Sequence, residues 1–387
     1  EAETLEDRTL LTITLVLNSA TETLTVTGDG TNQNLDLDLA ETTAGSFVLT
    51  STSDSFDLTV SSVTANVDGA AESFDRTDGG DWTAEGFAMG QTIVVAGAAM
   101  AGNNGTFTIV NIDATSITVM QDLTTDATTQ TLSVMKNLSM SATLGDSAVV
   151  SIVIDMSGGD DTITLDGDSA GTSLTVDDGD GNDSFQVTAN GLDLADGGNG
   201  FLDVTSNVIT FTGTVSTSDD LTLETTGVAS PIDLPATTVG GDLMVTVLDG
   251  DITDLGVVTA TGMASFTTTQ DDADIDLGTL AVTGSLALMT NGTAGNATIV
   301  NATAVDLATS NVDGNLDVTA TLGDITDSGM VTVAGNAAFV APATATAPAA
   351  GFGVDLGQLA VAAASTVAVD TNGSAQLVNN GTLTLGT

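Results

Sequence analysis

The sequence of 387 residues contains no cysteine, no histidine and no tyrosine, and its lysines and arginines together number only three. The lack of cysteine excludes disulfides and thiol chemistry, and the lack of histidine excludes the usual zinc sites and imidazole-based catalysis. Pairs of carboxylates are the only familiar catalytic groups that remain. We therefore expect that the protein is not an enzyme.

Acidic residues number 52, which gives the chain a net charge of −49 at pH 7. Such a polyanion repels phosphate and has no basic patch, so nucleic acids are excluded as partners and anionic membranes are disfavoured. A solvated acidic surface keeps a protein soluble, and high salt or bound divalent cations relieve its self-repulsion. No run of about 18 apolar residues is present, so we expect no membrane span.

Hydrophobic residues make up 41% of the chain although aromatics are only 3%. The apolar set is therefore dominated by Val, Leu, Ile and Ala, which suit the narrow interior of a coil where small and β-branched side chains stack in rows. This content is too high for a disordered chain. We expect an ordered protein that is rich in β-strands and has no long helix.

A long phrase occurs almost twice, as GDLMVTVLDGDITDLG at 241–256 and as GNLDVTATLGDITDSG at 314–329. The shared GDITD lies at 250–254 and at 323–327, an offset of 73 residues. Repetition of short Val, Thr, Leu and Ile runs between Gly, Asp and Asn is typical of stacked β-coils. Strand-like runs recur at roughly 20 to 25 residues, so the offset predicts about three coils.

The fold class that these patterns favour is all-β, namely a right-handed parallel β-helix with a small inserted β-barrel domain. The right hand is the one favoured by the chirality of crossover connections. A series of β-sandwiches is the competing fold, since tight hairpin turns often contain Asn-Gly. Such pairs begin at Asn190, Asn291, Asn372 and Asn380.

The chain starts at Glu1 without a leader-like segment, and we interpret it as a mature form after leader removal. The segment LEDRTLLT at 5–12 resembles the LEPR-x-LL signature near the N-termini of large secreted surface proteins of planctomycete bacteria, with Asp7 in place of the proline. This resemblance implies a secreted protein that is extracellular or bound to the cell surface.

The stretch between Ala70 and Lys136 differs from the rest and holds the single tryptophan, Trp82, and two of the three basic residues. Its phrases W-x3-GF-x2-GQ-x-I-x-V and NNGTFTI resemble a small β-barrel module that is common in phage and bacterial surface proteins. The resemblance implies an inserted domain with Trp82 in its own core. The predicted domains are 1–17, an acidic segment and apolar strand; 18–69, the first coils; 70–136, the inserted barrel; and 137–387, the main β-helix with the internal repeat.

The motif DDGDGNDSFQV at 177–187 resembles the RTX nonapeptide G-G-x-G-x-D-x-U-x, and a weaker echo, SGGDDTITL, stands 22 residues earlier. Glycines permit the tight loop, and aspartate and carbonyl oxygens suit a hard cation such as Ca²⁺. In RTX arrays the nonapeptides are tandem, which they are not here, so a plain acidic turn is the alternative. The candidate calcium ligands are Asp160, Asp161, Asp178, Asp180 and Asp183.

We predict a structural subunit of an extracellular filament or surface layer, stabilised by calcium, that assembles head-to-tail with copies of itself through the ends of the β-helix. The apolar strand at 10–17 is expected to cover the end of a neighbour, and the chain's last strand has no polar cap.

Two alternatives remain. The first is an adhesin whose inserted barrel binds a glycan or a cell-surface component, which exposed aromatics around Trp82 and Phe87 would favour. The second is a β-helical carbohydrate-active enzyme, which aspartates converging in a groove near QDDADID at 270–276 would favour.

Overall fold

The computed structural model describes residues 14–18, 23–27, 34–39, 46–68, 71–83, 87, 89, 92–143, 151–157, 160–168, 172–195, 200–342, 351–379 and 384–385. Nearly all elements within these ranges are β-strands, with one short 3-10 helix, Ala101–Asn103. The same ranges contain no α-helix, and hence no helix of the length and hydrophobicity that a membrane span requires. The all-β prediction is therefore confirmed.

The chain divides into two compact units, whose largest segments are Val48–Ser141 in the smaller unit and Ala142–Thr387 in the larger one. The smaller unit contains the stretch 70–136, for which an inserted domain is predicted. The signature at 5–12 and the first residues of the predicted strand 10–17 lie outside the described residues. Three strands come first in the chain: β1 (Thr14–Asn18), β2 (Thr23–Thr27) and β3 (Asn34–Leu39).

The smaller unit is a curled antiparallel sheet, and its strands run in the order β4, β5, β8, β7, β6 and β9, with β9 also pairing β4. These strands are β4 (Ser46–Asp68), β5 (Ala71–Arg76), β6 (Thr92–Ala96), β7 (Gly105–Ile112), β8 (Ser116–Val119) and β9 (Asp126–Thr143). Alternate residues of each strand point inward and form one apolar core between the strands.

Trp82 lies in this core, completely buried, with its ring edge-to-face against Phe87 at 5.3 Å between centroids. The guanidinium of Arg76 lies 4.6 Å from the centre of the Trp82 ring. It also donates two hydrogen bonds to Asp78, from Nε to Oδ1 at 2.7 Å and from Nη2 to Oδ2 at 2.8 Å. The charge of Arg76 is thus buried with a bidentate carboxylate partner and an aromatic face.

Besides β1 and β2, which lie in its segment Thr14–Gly30, the larger unit contains the strands that follow β9. They are β10 (Ser151–Asp155), β11 (Thr162–Asp168), β12 (Ser173–Asp177), β13 (Ser184–Leu194), β14 (Leu202–Ser206), β15 (Val208–Phe211), β16 (Val215–Thr217), β17 (Leu221–Thr225), β18 (Ile232–Leu234), β19 (Thr237–Val239), β20 (Leu243–Val247), β21 (Ile252–Asp254), β22 (Val258–Ala260), β23 (Ala264–Asp271), β24 (Ile275–Val282), β25 (Ser285–Asn291), β26 (Ala297–Asn301), β27 (Val305–Leu307), β28 (Ser310–Val312), β29 (Leu316–Ala320), β30 (Ile325–Asp327), β31 (Val331–Val333), β32 (Ala337–Ala341), β33 (Val354–Val361), β34 (Thr366–Thr371), β35 (Ala375–Asn379) and β36 (Thr384–Leu385).

From β10 onward the chain alternates between two parallel sheets and forms a β-solenoid of about ten turns. The first sheet contains β10, β12, β14, β17, β20, β23 and β25, and the second contains β11, β13, β15, β16, β18 and β19, with later strands adding to both. In β20, Leu243, Val245 and Val247 are buried while Met244 points outward. The predicted solenoid is confirmed, and hairpin sandwiches do not describe this unit.

The two halves of a turn differ in shape. One half is a single continuous strand, as in β17 and β20, and the other bends at a corner, as between β21 and β22 or at the register shift within β24. From β14 to β25 the continuous strands lie in the first sheet and the bent halves in the second. From β26 to β34 this arrangement is reversed, because β25 and β26 are both continuous and follow each other directly.

This exchange places the two copies of the repeat on opposite sheets. In the second sheet, three successive pairings lead from Ile252 to Leu316, which lies 64 residues further along the chain. Ile325 follows nine residues later and lies in the first sheet. The offset of 73 residues therefore corresponds to three and a half turns, so the prediction of about three coils was low by half a turn. Both copies keep the same backbone, with φ of +135° at Gly250 and +146° at Gly323.

The N-terminal strand β1 lies antiparallel on β2 of the same chain, with Leu15 opposite Val26. The next neighbour of β2 is β10, which pairs with it in parallel. In the described residues, the strand that was expected to cover a neighbouring molecule thus covers the edge of its own first sheet.

The contact between Arg76 and Asp78 predicts a stability that depends on pH. The hydrogen bond from Arg76 holds the pKa of Asp78 below its usual value of 3.8. Because a lowered pKa stabilises the folded state only while the carboxyl is ionised, this contribution is complete at neutral pH and is lost as the pH falls below about 4. We expect Asp78→Asn to lower the free energy of unfolding at pH 7 by about 1–2 kcal/mol, with a smaller difference at pH 3.

Trp82 is the only tryptophan of the chain, so its fluorescence during denaturant unfolding reports on the smaller unit alone. Asp122→Asn is the matched control, since Asp122 is exposed in the same unit. Two results would contradict a stabilising contact between Arg76 and Asp78. One is an equal loss of unfolding free energy in both variants at pH 7, and the other is a loss in Asp78→Asn that does not change with pH.

Candidate functional site on the acidic turns

The two segments that carry the candidate calcium ligands lie on neighbouring turns of the solenoid. The turn before β11 stacks on the turn before β13, because these strands pair in parallel register at a spacing of 22 residues. Oδ1 of Asp160 accepts hydrogen bonds from the main-chain N of Asn182 at 3.0 Å and from its Nδ2 at 3.2 Å. The N–H of Asp161 donates to Oδ1 of Asp183 at 2.8 Å. The fold thus brings the motif and its echo together.

The five aspartates differ sharply in burial. Asp160 and Asp180 are exposed, whereas Asp161, Asp178 and Asp183 are each at most 2% exposed. Among the described residues, Oδ2 of Asp178 and Oδ2 of Asp183 have no hydrogen-bond partner. A buried, ionised carboxylate oxygen without a partner is energetically costly. The turn before β13 therefore contains two carboxylates whose charge is incompletely satisfied.

The electrostatics of these two side chains follow from their burial. Burial raises the pKa of Asp178 to about 7, while a hydrogen bond with the Ser206 side chain lowers it and the charge of Asp183 raises it. Burial also raises the pKa of Asp183, against the hydrogen bond that it accepts from the N–H of Asp161. In both cases the ionised form is disfavoured and a positive partner would favour it.

Within the described part of the chain, no group of three or more acidic, histidine or cysteine side chains is arranged so that it could hold a metal ion. The turn before β13 instead assembles a pair of buried carboxylates, Asp178 and Asp183. A calcium site built from all five aspartates remains a prediction.

Several other acidic turns among the described residues use their side chains to bond the next turn. Five consecutive steps of the second sheet are linked by one pattern, in which Oδ1 of an Asp or Asn directly before a strand accepts the N–H of its counterpart one turn later, at 2.8 to 2.9 Å. The residues of this Asx ladder are Asp251, Asp274, Asn296, Asn315 and Asn336, and the last donor is Thr366. Such side-chain bonds satisfy main-chain groups that strand pairing does not reach.

The last aspartate of each GDITD copy makes a second kind of bond between turns. The carboxylate of Asp254 accepts the N–H groups of Gly278 at 2.9 Å and of Thr279 at 2.7 Å. On the opposite sheet, Asp327 accepts the N–H groups of residues 357 and 358, at 2.8 and 2.6 Å. The acceptors belong to GDITD and the donors to the DLGTLAV and DLGQLAV phrases. The repeat thus preserves a corner in which one carboxylate fixes the bend of the next turn.

A groove of about 220 Å³ lies on the second sheet beside the Asx ladder. Its lining includes the carboxylates of Asp274, Asp276 and Asp317 and the amides of Asn296 and Asn315, but no basic or aromatic side chain. The segment QDDADID thus does contribute two aspartates to a groove. Asp274 is already engaged, because its Oδ1 accepts the N–H of Asn296.

The Asx ladder was not identified from the sequence. The signal that could have revealed it is an Asp or Asn directly before a strand at intervals of 19 to 23 residues. Because this spacing varies with the length of each turn, a search for a fixed period does not find it.

The corner bonds predict that Asp254→Ala and Asp327→Ala each destabilise the solenoid. Each substitution leaves two main-chain N–H groups without a carboxylate acceptor, at a cost of about 1–3 kcal/mol. Because the two corners lie on opposite sheets and share no partner, we expect the losses in the double variant to add. The measurement is the denaturant dependence of the β-sheet circular dichroism signal.

Asp276→Ala provides the control, since this exposed aspartate lies on β24 beside the same corner. A control variant as unstable as Asp254→Ala would show that removing any negative charge has the same effect. If the loss of unfolding free energy in the double variant differs strongly from the sum of the two single losses, the bonds at the two corners are not independent.

Comparison with known proteins gives one match. Residues 225–271 and 294–358 are similar to a family described as repeats of unknown function (DUF5649). Each matched stretch contains one copy of GDITD. No curated protein and no solved structure matches the chain.

Proposed function

We propose that the chain is a structural subunit of an extracellular filament or surface layer, stabilised by calcium and built from copies of itself. The observation that carries this proposal is the Asx ladder together with the two corner carboxylates. These acidic and amide side chains accept main-chain N–H groups of the neighbouring turn, so the acidic residues of the repeat support the fold itself. Each copy of such a repeat carries the bonds that attach it to the next turn, so added copies lengthen the solenoid as a scaffold.

Secretion is supported by sequence features. The resemblance of LEDRTLLT at 5–12 to the signature of secreted surface proteins and the resemblance of 70–136 to a surface-protein module favour an extracellular location. The high negative charge fits a setting where salt or divalent cations screen repulsion.

Head-to-tail assembly is supported by how the solenoid grows. Each turn adds to the one before it through main-chain pairing in parallel register, so a turn of a second chain adds by the same bonds. In such growth two different surfaces meet at each contact between chains, and the contacts do not close into a ring. The product is therefore a filament. In this mechanism β1 leaves β2 of its own chain and pairs instead with β2 of a neighbouring chain.

The two alternatives have less support. Trp82 and Phe87 are buried, at 0% and 3% exposure, so the exposed aromatics that would favour a glycan-binding adhesin are not found at these positions. The groove with Asp276 and Asp317 has no basic or aromatic side chain in its lining to hold a sugar. A structural role therefore remains the better explanation.

Negative-stain electron microscopy of the purified chain, with calcium and with a chelator, tests the proposal. We expect long filaments or ordered layers in calcium. Single particles of one chain under both conditions, at concentrations where other surface proteins assemble, would refute a self-assembling subunit.

The absence of cysteine allows strand exchange to be tested by an engineered disulfide. Leu15→Cys combined with Val26→Cys places one thiol on each of two directly opposed residues, whose Cα atoms in an antiparallel pair are about 4.5–5.5 Å apart and within disulfide reach. In filaments formed by exchange, oxidation should link chains into a covalent ladder on a non-reducing gel. Single chains recovered from oxidised filaments would rule out exchange of β1 and leave assembly to other contacts.

A further inference from the structure

The ends of three first-sheet strands carry a buried hydroxyl bond, whereas Val247 holds the equivalent position between Thr225 and Thr268 without a hydroxyl. In three turns, a threonine at or near the end of the strand donates its Oγ1 to the carbonyl five residues ahead. The donors are Thr225, Thr268 and Thr290, and the distances to the carbonyls of residues 230, 273 and 295 are 3.2, 3.3 and 2.6 Å. These hydroxyls are buried, and each closes the passage from the first sheet to the second.

Asp178 lies at the equivalent position of an earlier turn. The pairing of Asp177 with Thr205 places Asp178 opposite Ser206, and Ser206 pairs with Thr225. The carbonyl five residues ahead of Asp178 belongs to Asp183. In its ionised form Asp178 has no proton to donate, so the bond that closes these three turns cannot form in that state.

The same turn contains the two unpartnered oxygens described above. Asp178 is 2% exposed and Asp183 is 1% exposed, and among the described residues the Oδ2 atom of each has no hydrogen-bond partner. The turn thus lacks one donor and has two buried anionic acceptors that remain unsatisfied. A cation replaces a donor in such a place, because it binds carboxylate and carbonyl oxygens together.

We propose that Asp178 and Asp183 hold one Ca²⁺ ion inside the turn 178–183, where the ion takes the place of the hydroxyl that Thr225, Thr268 and Thr290 supply in later turns. This inference rests on the calcium stabilisation in the proposed function and narrows five candidate ligands to two. Main-chain carbonyls and water complete a coordination shell of six to eight oxygens. Ca²⁺ fits better than Mg²⁺, which requires near-ideal octahedral geometry.

Two carboxylate oxygens beside this turn are already engaged in bonds between turns. Oδ1 of Asp183 already accepts the N–H of Asp161, and Oδ1 of Asp160 already accepts two hydrogen bonds from Asn182. We therefore assign the ion to Oδ2 of Asp178 and Oδ2 of Asp183, which are buried and unpartnered, and not to exposed Asp180.

The test compares the full chain with Asp178→Thr, Asp178→Asn, Asp183→Asn and, as the matched control on the same turn, Asp180→Asn. Calcium is titrated calorimetrically at high ionic strength, where diffuse binding to the acidic surface is screened. Thermal unfolding is followed in calcium and in a chelator. We expect one strong Ca²⁺ per chain, a higher melting temperature in calcium, and both effects unchanged in Asp180→Asn.

The substitution Asp178→Thr is the decisive one, since it introduces the hydroxyl that Thr225, Thr268 and Thr290 supply in later turns. We expect its calcium affinity to fall at least about tenfold and its melting temperature in chelator to equal or exceed that of the unmodified chain. Asp178→Asn and Asp183→Asn should lose calcium binding without this gain. Unchanged affinity in Asp178→Thr, or its loss in Asp180→Asn, would overturn the site.

The calorimetric outcome is independent of self-assembly. If the site fails, filaments of the unmodified chain remain a valid test of the structural role, and if no filaments form, the calcium titration of single chains still decides the site. Filaments of Asp178→Thr that form without calcium would support both proposals.

Discussion

The larger unit depends on one constraint: the main-chain N–H groups at the corners of its turns must find acceptors. Strand pairing satisfies the groups within the sheets, but the corners lie outside it. Side-chain oxygens of Asp and Asn provide the missing acceptors in the Asx ladder and at Asp254 and Asp327. At these corners the fold depends on short acidic and amide side chains at fixed places.

This constraint changes how the high negative charge is understood. A net charge of −49 first indicates a solvated surface. The structure shows that part of this charge is bonded internally, and Asp254 and Asp274 each have a main-chain donor on the next turn. The turn 178–183 differs, because there the carboxylates are buried and only partly satisfied. Exposure and hydrogen bonding, and not the number of acidic residues, separate a structural turn from a candidate site.

The sequence pattern was sufficient for the all-β class and the solenoid, because alternation such as Leu243, Val245 and Val247 directly encodes which face is buried. It was insufficient for the position of the repeat copies. A repeated phrase gives no information on which sheet receives it, and the sheet depends on whether a bent segment lies between two continuous strands. The sequence motif identified two segments that lie on neighbouring turns, but the burial of Asp178 and Asp183 relative to Asp160 and Asp180 depends on which way each loop residue faces.

The half-turn offset has a consequence for how such chains lengthen. Each 73-residue copy turns its corner by half a revolution about the solenoid axis relative to the copy before it. One added copy therefore presents its corner to the opposite side, and a second added copy returns it to the original side. If the chain lengthens by duplication of this unit, successive corners lie on opposite sides of the solenoid in turn. Whether the number of copies is odd or even then determines on which side the last corner lies.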